Sequence, residues 1–359
     1  MRYLYYCNSA YQLINVLNLH WQRLLNYENI NDYSADLIML NAYAGAEEIV
    51  NIIQKNNIFN DIKLIDRVKI KGKFHIIKTI KDIFMPSSFI KNGYGYDKKE
   101  FINKYDYIYT PKFNRIIAAI WQLNRNAKLH MYEDGLSTYF SDLGNSKFSK
   151  SYKIFYKLLN HGRDFDDVEI IYVNRKNLYC NCNVDKVKEL PRIDDNVLSK
   201  LSDLFSEFVY KDNKEIYWLS QLIQGRKNNE RINSLLDELV KYKEKVLYCP
   251  HPRNVIKNSN GFDESVKGQI WELKLVNEKN INDKCLISLY STACLTPKIL
   301  FDKEPYLILA YNLIDDEVIE NKERFIEVIN KFKQEYKEQE KVMIPLNFEE
   351  YKECLNKIA

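Results

Sequence analysis

Three short polar motifs in this sequence carry the residue types that acid–base and phosphate chemistry require. They are Tyr132-Glu133-Asp134-Gly135, His251-Pro252-Arg253 and Ser291-Thr292. The first motif offers a carboxylate that can act as a general base. The other two offer hydrogen-bonding and cationic partners for a phosphate. Together they predict a site that accepts a proton and holds an anionic group.

Each motif follows a short apolar run that predicts a β-strand. These runs lie at 127–131, 246–249 and 285–289. In open α/β sheets, ligands bind outside the carboxyl ends of the strands. We therefore expect the three motifs to converge on one cleft.

The adjacent carboxylates Glu133 and Asp134 have two interpretations. In the commoner one, a solvated turn ends the strand and Gly135 supplies a permissive backbone. In the functional one, a carboxylate faces the cleft as a general base. Adjacent residues of an extended backbone point to opposite sides, so we expect only one of the two to face a substrate. The other would hold the turn or cap the following helix.

His251 lies between two prolines, which fix the local backbone and break any helix. Because Arg253 follows directly, we interpret this segment as a rigid contact for an anionic phosphate. Ser291 and Thr292 precede a helix predicted at 292–301. A plain helix N-cap and an anion site at the helix N-terminus are both compatible with that position.

Length and composition favour a globular protein of two domains. The chain has 359 residues, of which 46% are hydrophobic and 28% charged, and its net charge is +4. So slight a basic excess argues against a nucleic-acid partner. No secretion signal opens the chain, and no apolar run approaches the roughly 20 residues that span a bilayer. We therefore predict a cytoplasmic location.

Alternating strand and helix patterns predict an α/β fold of two doubly wound, Rossmann-like domains facing a central cleft. We expect the first domain at 1–190 and the second at 191–359, with a polar linker region at 180–195. Within the second domain, a strand is predicted at 272–276 and a long helix at 316–336. This is the GT-B plan of many glycosyltransferases, although rearranged dehydrogenase or periplasmic-binding domains would give a similar pattern.

Other kinds of site have little support in the sequence. The glycine-rich patterns of dinucleotide-binding and P-loop proteins are absent. Cys180 and Cys182 form a C-x-C pair, but a zinc site there would lack half of its ligands. We predict no metal and no cofactor. The stretch 69–81 mixes lysines with large apolar residues and is compatible with contact with anionic lipid, although an ordinary amphipathic helix is favoured.

The three motifs, in this order and spacing, resemble those of the bacterial sialyltransferases, in which an acidic pair with Gly, an HP dipeptide and a Ser-Ser or Ser-Thr pair recur. The opening Cys7-Asn8-Ser9-Ala10-Tyr11-Gln12-Leu13 is similar to the start of glycosyltransferase family 52, the lipooligosaccharide and capsule sialyltransferases. The resemblance spans the chain from Cys7 to about Leu295. It implies a GT-B-type fold and metal-independent, inverting transfer of sialic acid from CMP-sialic acid to a galactose-terminated glycan. It also suggests a homodimer.

The resemblance assigns roles to the catalytic motifs. Glu133 matches the general base on the acceptor hydroxyl, and Asp134 and Gly135 complete its turn. His251 matches the histidine that contacts the CMP phosphate and assists its departure, while Pro252 shapes that loop. The residues alone leave the choice of base open between the two carboxylates, and the family pattern favours Glu133.

The resemblance also implies a donor site. Ser291 and Thr292 match the hydroxyl pair that binds the phosphate. Glu272 is expected near the cytidine ribose or base. The residues expected to line the donor site at the end of the first strand are Asn8, Ser9 and Gln12.

Two departures from the family leave the donor open. Ala10 stands where many relatives have Pro, and Thr292 stands where many have Ser. Because the family includes glucosyl-type transferases, a GT-B enzyme that uses another nucleotide sugar is the first alternative. A non-catalytic envelope-assembly protein of the same fold is the second.

Overall fold

The fold is built from mostly buried strands that alternate with helices along the chain. The computed structural model describes residues 1–25, 32–66, 84–141, 150–181, 184–208, 212–221, 223, 226–251, 260–266, 269–315 and 319–358. Within these ranges the strands are β1 (Arg2–Cys7), β2 (Ser34–Asn41), β3 (Asp61–Asp66), β4 (Tyr107–Thr110), β5 (Lys128–Tyr132), β6 (Ile170–Val173), β7 (Val187–Glu189), β8 (Ile216–Leu219), β9 (Val246–Cys249), β10 (Asp263–Glu264), β11 (Cys285–Ser288), β12 (Tyr306–Leu309) and β13 (Val342–Met343).

These strands form two parallel sheets. The first has the order β3-β2-β1-β4-β5-β6-β7 and the second the order β10-β9-β8-β11-β12-β13. In each sheet the chain starts in the middle, builds outward to one edge and then reverses to build the other side, which is the doubly wound order. Continuous apolar strands such as Ile216–Leu219 suit parallel sheets because helices cover both faces.

Helices cover the faces of both sheets. Within the described ranges they are α1 (Ala10–Leu25), α2 (Ala46–Lys55), α3 (Pro86–Tyr94), α4 (Arg115–Leu123), α5 (Lys150–Leu159), α6 (Asp195–Leu204), α7 (Arg226–Leu239), α8 (Trp271–Asn277), α9 (Thr292–Phe301), α10 (Lys322–Gln334) and α11 (Phe348–Ile358). Asn114 and Asp194 cap α4 and α6, because each side chain accepts a hydrogen bond from a backbone N–H of the first turn. None of these helices has the length and apolar character that crossing a bilayer would require.

Three predicted elements differ from the structure. The strand predicted at 272–276 is wrong: these residues belong to helix α8, because periodicity cannot separate a buried strand from a buried helix in so short an apolar run. The predicted linker region at 180–195 contains β7, which extends the first sheet. The helix predicted at 316–336 is observed over Lys322–Gln334, after Asn321 in the left-handed conformation.

One hydrophobic core continues from the first sheet into the second. Helix α10 lies between β12 and β13 of the second sheet but also packs on the part of the chain that forms the first sheet. The rings of Phe325 and Phe140 lie 5.5 Å apart. Arg324 Nη1 donates a hydrogen bond to Asn181 Oδ1 at 2.9 Å. Packed contacts therefore hold the two halves together.

The predicted fold of two doubly wound α/β halves is confirmed. The first sheet ends at Glu189 and the second begins at Ile216. We call residues 1–189 the first half of the chain and residues 216–359 the second half. The loop after β5 touches the start of α9, which follows β11, since Leu136 N–H donates to Thr292 Oγ1 at 3.0 Å. The carboxyl edges of the two sheets therefore meet at these loops, and we call the region bounded by the loops after β1, β5, β9 and β11 the crevice.

Candidate active site

Each sheet has a topological switch point at the crevice. The order of strands reverses between β1 and β4 in the first sheet and between β8 and β11 in the second. Ligands of doubly wound sheets bind in the crevice outside such points. The loops after β1, β5, β9 and β11 carry most of the predicted site residues.

Glu133 does not face the crevice, because its side chain is fully buried at the end of β5. The hydroxyls of Tyr11 and Tyr139 donate to its two carboxylate oxygens, one to each. Asn174 donates to the second oxygen from its backbone N–H at 2.7 Å and from its side-chain amide at 3.0 Å. This carboxylate therefore joins α1 to the loops after β5 and β6.

Burial raises the pKa of Glu133, and the hydrogen bonds from Asn174, Tyr11 and Tyr139 oppose that shift. Both carboxylate oxygens are already occupied by donors from the protein. A general base must lie within hydrogen-bond reach of the proton that it accepts. The contacts of Glu133 therefore give it the geometry of an anchor for the turn.

Asp134, the next residue, faces the crevice. Its side chain is 23% exposed, and its Oδ2 lies 3.2 Å from Lys112 Nζ. Its Oδ1 accepts a hydrogen bond from the Gln12 side-chain amide. The opposite environments of Glu133 and Asp134 agree with the alternation expected at a strand end. The geometry therefore favours Asp134 as a base, and the assignment of Glu133 stays a prediction that its contacts do not support.

Gln12 connects the loop after β1 to Asp134. Its side-chain oxygen accepts from Asn8 N–H at 2.7 Å, and its amide nitrogen donates to Asp134. The Ser9 hydroxyl oxygen accepts from Gln12 N–H at 3.3 Å at the start of α1. Gln12 is buried, whereas Asn8 and Ser9 are half-buried. These three predicted donor-site residues therefore lie together beside Asp134.

Gly135 lies beside the start of α9 in this turn. Its φ of 142° lies in a region that side chains rarely adopt, and a Cβ atom there would lie 3.0 Å from Thr292 Oγ1. The following amide, Leu136 N–H, donates to the same Thr292 oxygen. Both the backbone conformation and the nearness of α9 therefore require glycine at this position.

Ser291 and Thr292 form the start of α9. Ser291 is the N-cap, and its hydroxyl oxygen accepts from Ala293 N–H at 3.2 Å. Both residues of the pair are half-buried. The helix dipole and the amides of the first turn suit an anion at this place. The cap is observed, and phosphate binding stays a prediction.

His251 lies at the same edge of the second sheet, two residues beyond β9, and is half-buried. Strand β8 lies between β9 and β11. A spacing of about 4.8 Å between neighbouring strands puts the ends of β9 and β11 about 10 Å apart. Pro252 and Arg253 lie outside the described residues, so their roles stay predictions.

The position of Glu272 depends on a backbone carbonyl of α9 that lacks its helical hydrogen bond. Pro297 lacks the N–H that would bond to the Ala293 carbonyl four residues earlier. Trp271 Nε1 donates to that carbonyl at 2.8 Å instead. This bond fixes the first turn of α8, which carries Glu272. Burial raises the pKa of the Glu272 carboxyl.

Tyr43 is a neighbour of Glu272 that the sequence did not single out. It follows β2 in the first half, and its hydroxyl is buried with no hydrogen-bond partner among the described residues. Burial raises the pKa of Tyr43, and the nearby Cys7 and Glu272 raise it further. The Tyr43 hydroxyl is therefore a buried donor with no acceptor among the described residues.

Sequence reasoning also missed the residues that hold the predicted ones. Asn174 and Tyr11 bind Glu133 from positions 41 and 122 residues away in the chain. Gln221 Oε1 accepts from Ser288 Oγ at 3.1 Å and from Tyr290 N–H at 2.7 Å, which fixes the loop that leads into α9. The available signal was a polar side chain within two residues of a strand end, as at Asn174 and Gln221.

Side chains that commonly bind metals are scattered in this structure. Across the described ranges, no group of three or more His, Cys, Asp or Glu residues is placed to hold an ion. Cys180 Sγ lies 3.3 Å from Lys331 Nζ, and Cys182 falls outside those ranges. The sequence contains a D-x-D spacing, which is a common metal-binding pattern, at Asp164 and Asp166. It precedes β6, at the edge away from the crevice, where Asp164 caps a 3-10 turn.

Comparison by sequence does not place this chain in a family. No protein-family model matches it, and no curated protein matches it. Solved structures, by contrast, share its arrangement over nearly the whole length.

One such structure is the UDP-GlcNAc 2-epimerase of Methanocaldococcus jannaschii in complex with UDP-GlcNAc and UDP, with a TM-score of 0.50, 13% identity and coverage of 100% of this chain and 99% of that one. Another is the UDP-GlcNAc 2-epimerase of Neisseria meningitidis bound to UDP-GlcNAc, with a TM-score of 0.49, 14% identity and 99% coverage of both chains. A third is the GT-B domain of a sialyltransferase from Photobacterium damselae, with a TM-score of 0.46, 12% identity and coverage of 96% of this chain and 100% of that one. At 13% identity the likeness to the Methanocaldococcus jannaschii structure shows the fold alone, which is the GT-B type.

Proposed function

We propose that this protein is an inverting, metal-independent glycosyltransferase that moves sialic acid from CMP-sialic acid to a galactose-terminated surface glycan of a lipooligosaccharide or capsule. The observation that carries the proposal is the contact between the turn of Asp134 and the helix start that holds Ser291 and Thr292. A base for an acceptor hydroxyl and a place for a leaving phosphate are thereby adjacent across the crevice.

On the acceptor side, Asp134 accepts the proton of the attacking hydroxyl. Gln12 and Lys112 hold its carboxylate, which keeps exposed surface for a substrate. General-base catalysis of this kind contributes about 10²- to 10⁴-fold. The new bond joins the acceptor oxygen to the anomeric carbon of sialic acid on the face opposite to the phosphate, so the configuration inverts.

On the donor side, the bond between the anomeric carbon and the phosphate oxygen breaks, and its electron pair stays on CMP. Amides at the start of α9, with the hydroxyls of Ser291 and Thr292, stabilise the charge that develops on the phosphate. His251 donates a hydrogen bond or a proton to the same phosphate. Pro252 and Arg253 support that loop in this proposal. Because these groups stabilise the negative charge on the leaving phosphate, the proposed reaction requires no metal.

The nucleotide lies along the second half of the crevice in this proposal. Glu272 accepts a hydrogen bond from the ribose or the base, and the free hydroxyl of Tyr43 adds a donor from the first half. Asn8 and Ser9 line the part of the crevice that holds the sugar of the donor. The fold shared with an epimerase crystallised with UDP-GlcNAc and UDP supports a nucleotide-sugar site. The motif resemblance supports CMP-sialic acid as the particular donor.

A GT-B transferase that uses another nucleotide sugar is the second candidate. The departures at Ala10 and Thr292 favour it, since they loosen the match to the sialyltransferase motifs. A non-catalytic envelope-assembly protein is the third. Membrane contact stays a prediction, because the stretch 69–81 lies outside the described residues. The homodimer and the cytoplasmic location stay predictions too.

The test of the proposed function is release of CMP from CMP-sialic acid, with and without lactose, in the presence of EDTA. We expect lactose-dependent release that EDTA does not reduce. Parallel reactions with UDP-GlcNAc and UDP-glucose address the second candidate. Release of UDP without any release of CMP would contradict the donor assignment, and release from no donor with any galactose-terminated acceptor would favour the third candidate.

A further inference from the structure

We infer that Arg175 is a positioning residue that fixes helix α9, and with it the proposed phosphate site, against the turn that carries Asp134. Arg175 belongs to the first half, in the loop after β6, and its side chain is only 6% exposed. Its guanidinium contacts three residues of the second half, namely Lys298, Asp302 and Glu335.

Arg175 binds the C-terminal end of α9. Its Nη2 donates to the Lys298 carbonyl at 2.7 Å and lies 3.2 Å from Asp302 Oδ1. Lys298 is in the last turn of α9, and Asp302 is its C-cap, with a left-handed φ of 53°. The last carbonyls of a helix lack intrahelical partners and carry partial negative charge. A guanidinium at this end supplies a hydrogen-bond donor to a carbonyl and a positive charge beside the helix C-terminus.

Among the described residues, hydrogen bonds attach helix α9 to the first half near both of its ends. At its start, Thr292 Oγ1 accepts from Leu136 N–H, and six residues later the Lys298 carbonyl accepts from Arg175. A rise of 1.5 Å per residue separates these points by about 9 Å. One attachment would let the helix pivot, whereas two fix the distance between its start and Asp134.

Arg175 also connects α9 to the buried carboxylate of Glu133. The preceding residue, Asn174, donates to Glu133 from its backbone and its side chain. The backbone N–H of Arg175 donates to the Tyr139 hydroxyl at 3.2 Å, and that hydroxyl donates to Glu133. The loop after β6 therefore joins the Glu133 hydrogen bonds to the end of α9. Glu133 thus has a positioning role that needs no contact with substrate.

The charges around Arg175 make it sensitive to substitution. Lys298, also buried, lies 2.8 Å from Asp302 and 2.6 Å from Glu304, so the second half has its own ion pairs at this place. Glu335 Oε2 lies 3.8 Å from Arg175 Nε and has no hydrogen-bond partner among the described residues. Removing one member of a buried ion pair leaves the other charge uncompensated. A lysine at 175 would keep the charge but lose the planar guanidinium, whose Nη2 contacts Lys298 and Asp302 while its Nε faces Glu335.

The experiment compares Arg175→Gln and Arg175→Lys with the control Arg192→Gln. Arg192 is a 66% exposed arginine in the segment that follows β7, with an ion pair to Glu189 at 4.0 Å. Hydrogen exchange of the segment that contains the Leu136 amide reports the contact with Thr292 directly. Steady-state kinetics with CMP-sialic acid report its effect on turnover. The kinetic part rests on the proposed function, whereas the exchange part does not.

We expect Arg175→Gln to speed exchange at Leu136 by about tenfold, because one attachment of α9 is lost. We expect it to lower kcat by about tenfold and to change the KM for the donor by less than about threefold. The reason is that the substitution disturbs the alignment of the phosphate site with Asp134 more than it weakens donor binding. Arg175→Lys should fall between the wild type and Arg175→Gln, and Arg192→Gln should match the wild type.

A folded Arg175→Gln variant whose exchange at Leu136 matches that of Arg192→Gln would overturn the inference. If Arg175→Gln does not fold, Asp302→Asn is the second variant, since asparagine tolerates the left-handed backbone and removes the charge. Faster exchange at Leu136 in Asp302→Asn supports the inference, and unchanged exchange overturns it. Because exchange is measured without substrate, it decides the inference even if the proposed function fails.

Discussion

At the scale of single residues, the turn after β5 gives adjacent carboxylates different surroundings. Glu133 is enclosed by Tyr11, Tyr139 and Asn174, whereas Asp134 keeps exposed surface at the crevice. Burial of a carboxylate is costly unless hydrogen bonds compensate it, and here the bonds from Tyr11, Tyr139 and Asn174 offset part of that cost. Glu133 therefore builds the turn and leaves Asp134 available for chemistry. The sequence could place the pair at a strand end but could not say which member faces outward.

Gly135→Ala is expected to disturb the contact between the halves. The backbone at φ 142° and ψ −161° is nearly exclusive to glycine, and the new Cβ would lie 3.0 Å from Thr292 Oγ1. We expect a loss of about 1–3 kcal/mol in the free energy of unfolding, measured by urea denaturation. We also expect a loss of about tenfold or more in kcat, because the helix start moves relative to Asp134.

Gly95→Ala is the matched control for that variant. Gly95 also has a positive φ, at 78°, but a Cβ there would meet no atom within 4 Å. The control should lose about 1 kcal/mol of stability from backbone strain and keep its kcat. Equal kcat values for the two variants would contradict the contact that we assign to Gly135.

At the scale of elements, Pro297 inside α9 leaves the Ala293 carbonyl without a helical partner, and Trp271 at the start of α8 bonds to it. Trp271→Phe removes the N–H that bonds to the Ala293 carbonyl, and we expect a cost of about 1–3 kcal/mol in the free energy of unfolding. Pro297→Ala restores a helical N–H that can reach the same carbonyl. The double variant should therefore lose less stability than Trp271→Phe alone. Urea denaturation of the four proteins in a double-mutant cycle measures this coupling, and strictly additive losses would contradict it.

Elements with clear flanking signals could be predicted from the sequence, including the short strands β5, β9 and β11, whereas α8 and β7 could not. The helix predicted at 292–301 is observed at Thr292–Phe301, because a strand, a hydroxyl cap and an apolar run mark its start. Helix α8 has seven residues and no side-chain cap, so its apolar run at 272–276 carried no helical signal. The strand β7 has only three residues and lies in polar surroundings.

At the scale of the whole molecule, the carboxyl-end rule predicted that the motifs share one crevice, but not which residues touch. The bond between Gln12 and Asp134 joins positions 122 residues apart, and the bond between Leu136 and Thr292 joins positions 156 apart. Such pairs depend on how two complete sheets pack against each other. No local pattern of residue types records that packing.

Acid is expected to destabilise the whole protein through a buried histidine. His20 in α1 is 3% exposed, and burial lowers its pKa to about 4. A histidine in the unfolded chain titrates near 6.5, so below that pH the unfolded state takes up a proton first. Stability that is fully present above pH 6.5 is therefore lost as the pH falls towards 4. The total contribution of this one group is about 3 kcal/mol.

His20→Gln is the variant that isolates this effect, since glutamine can still hydrogen-bond to the Tyr33 hydroxyl that lies 2.8 Å from His20 Nδ1. Carboxylates titrate in both proteins and cancel in the comparison. Between pH 7 and pH 4.5, the wild type should lose about 2–3 kcal/mol more unfolding free energy than His20→Gln in urea denaturation. Equal losses would show that His20 is not buried in its neutral form.

The most direct test of the roles proposed for the two carboxylates compares Asp134→Asn with Glu133→Gln in lactose-dependent release of CMP from CMP-sialic acid. Each substitution keeps the size of the side chain and removes the carboxylate. We expect Asp134→Asn to lower kcat by about 10²- to 10⁴-fold with donor binding retained, because the base is lost. Glu133→Gln should lower kcat by less than about tenfold, because an amide can still join Tyr11, Tyr139 and Asn174. A folded Glu133→Gln protein without turnover, beside an active Asp134→Asn protein, would contradict the account.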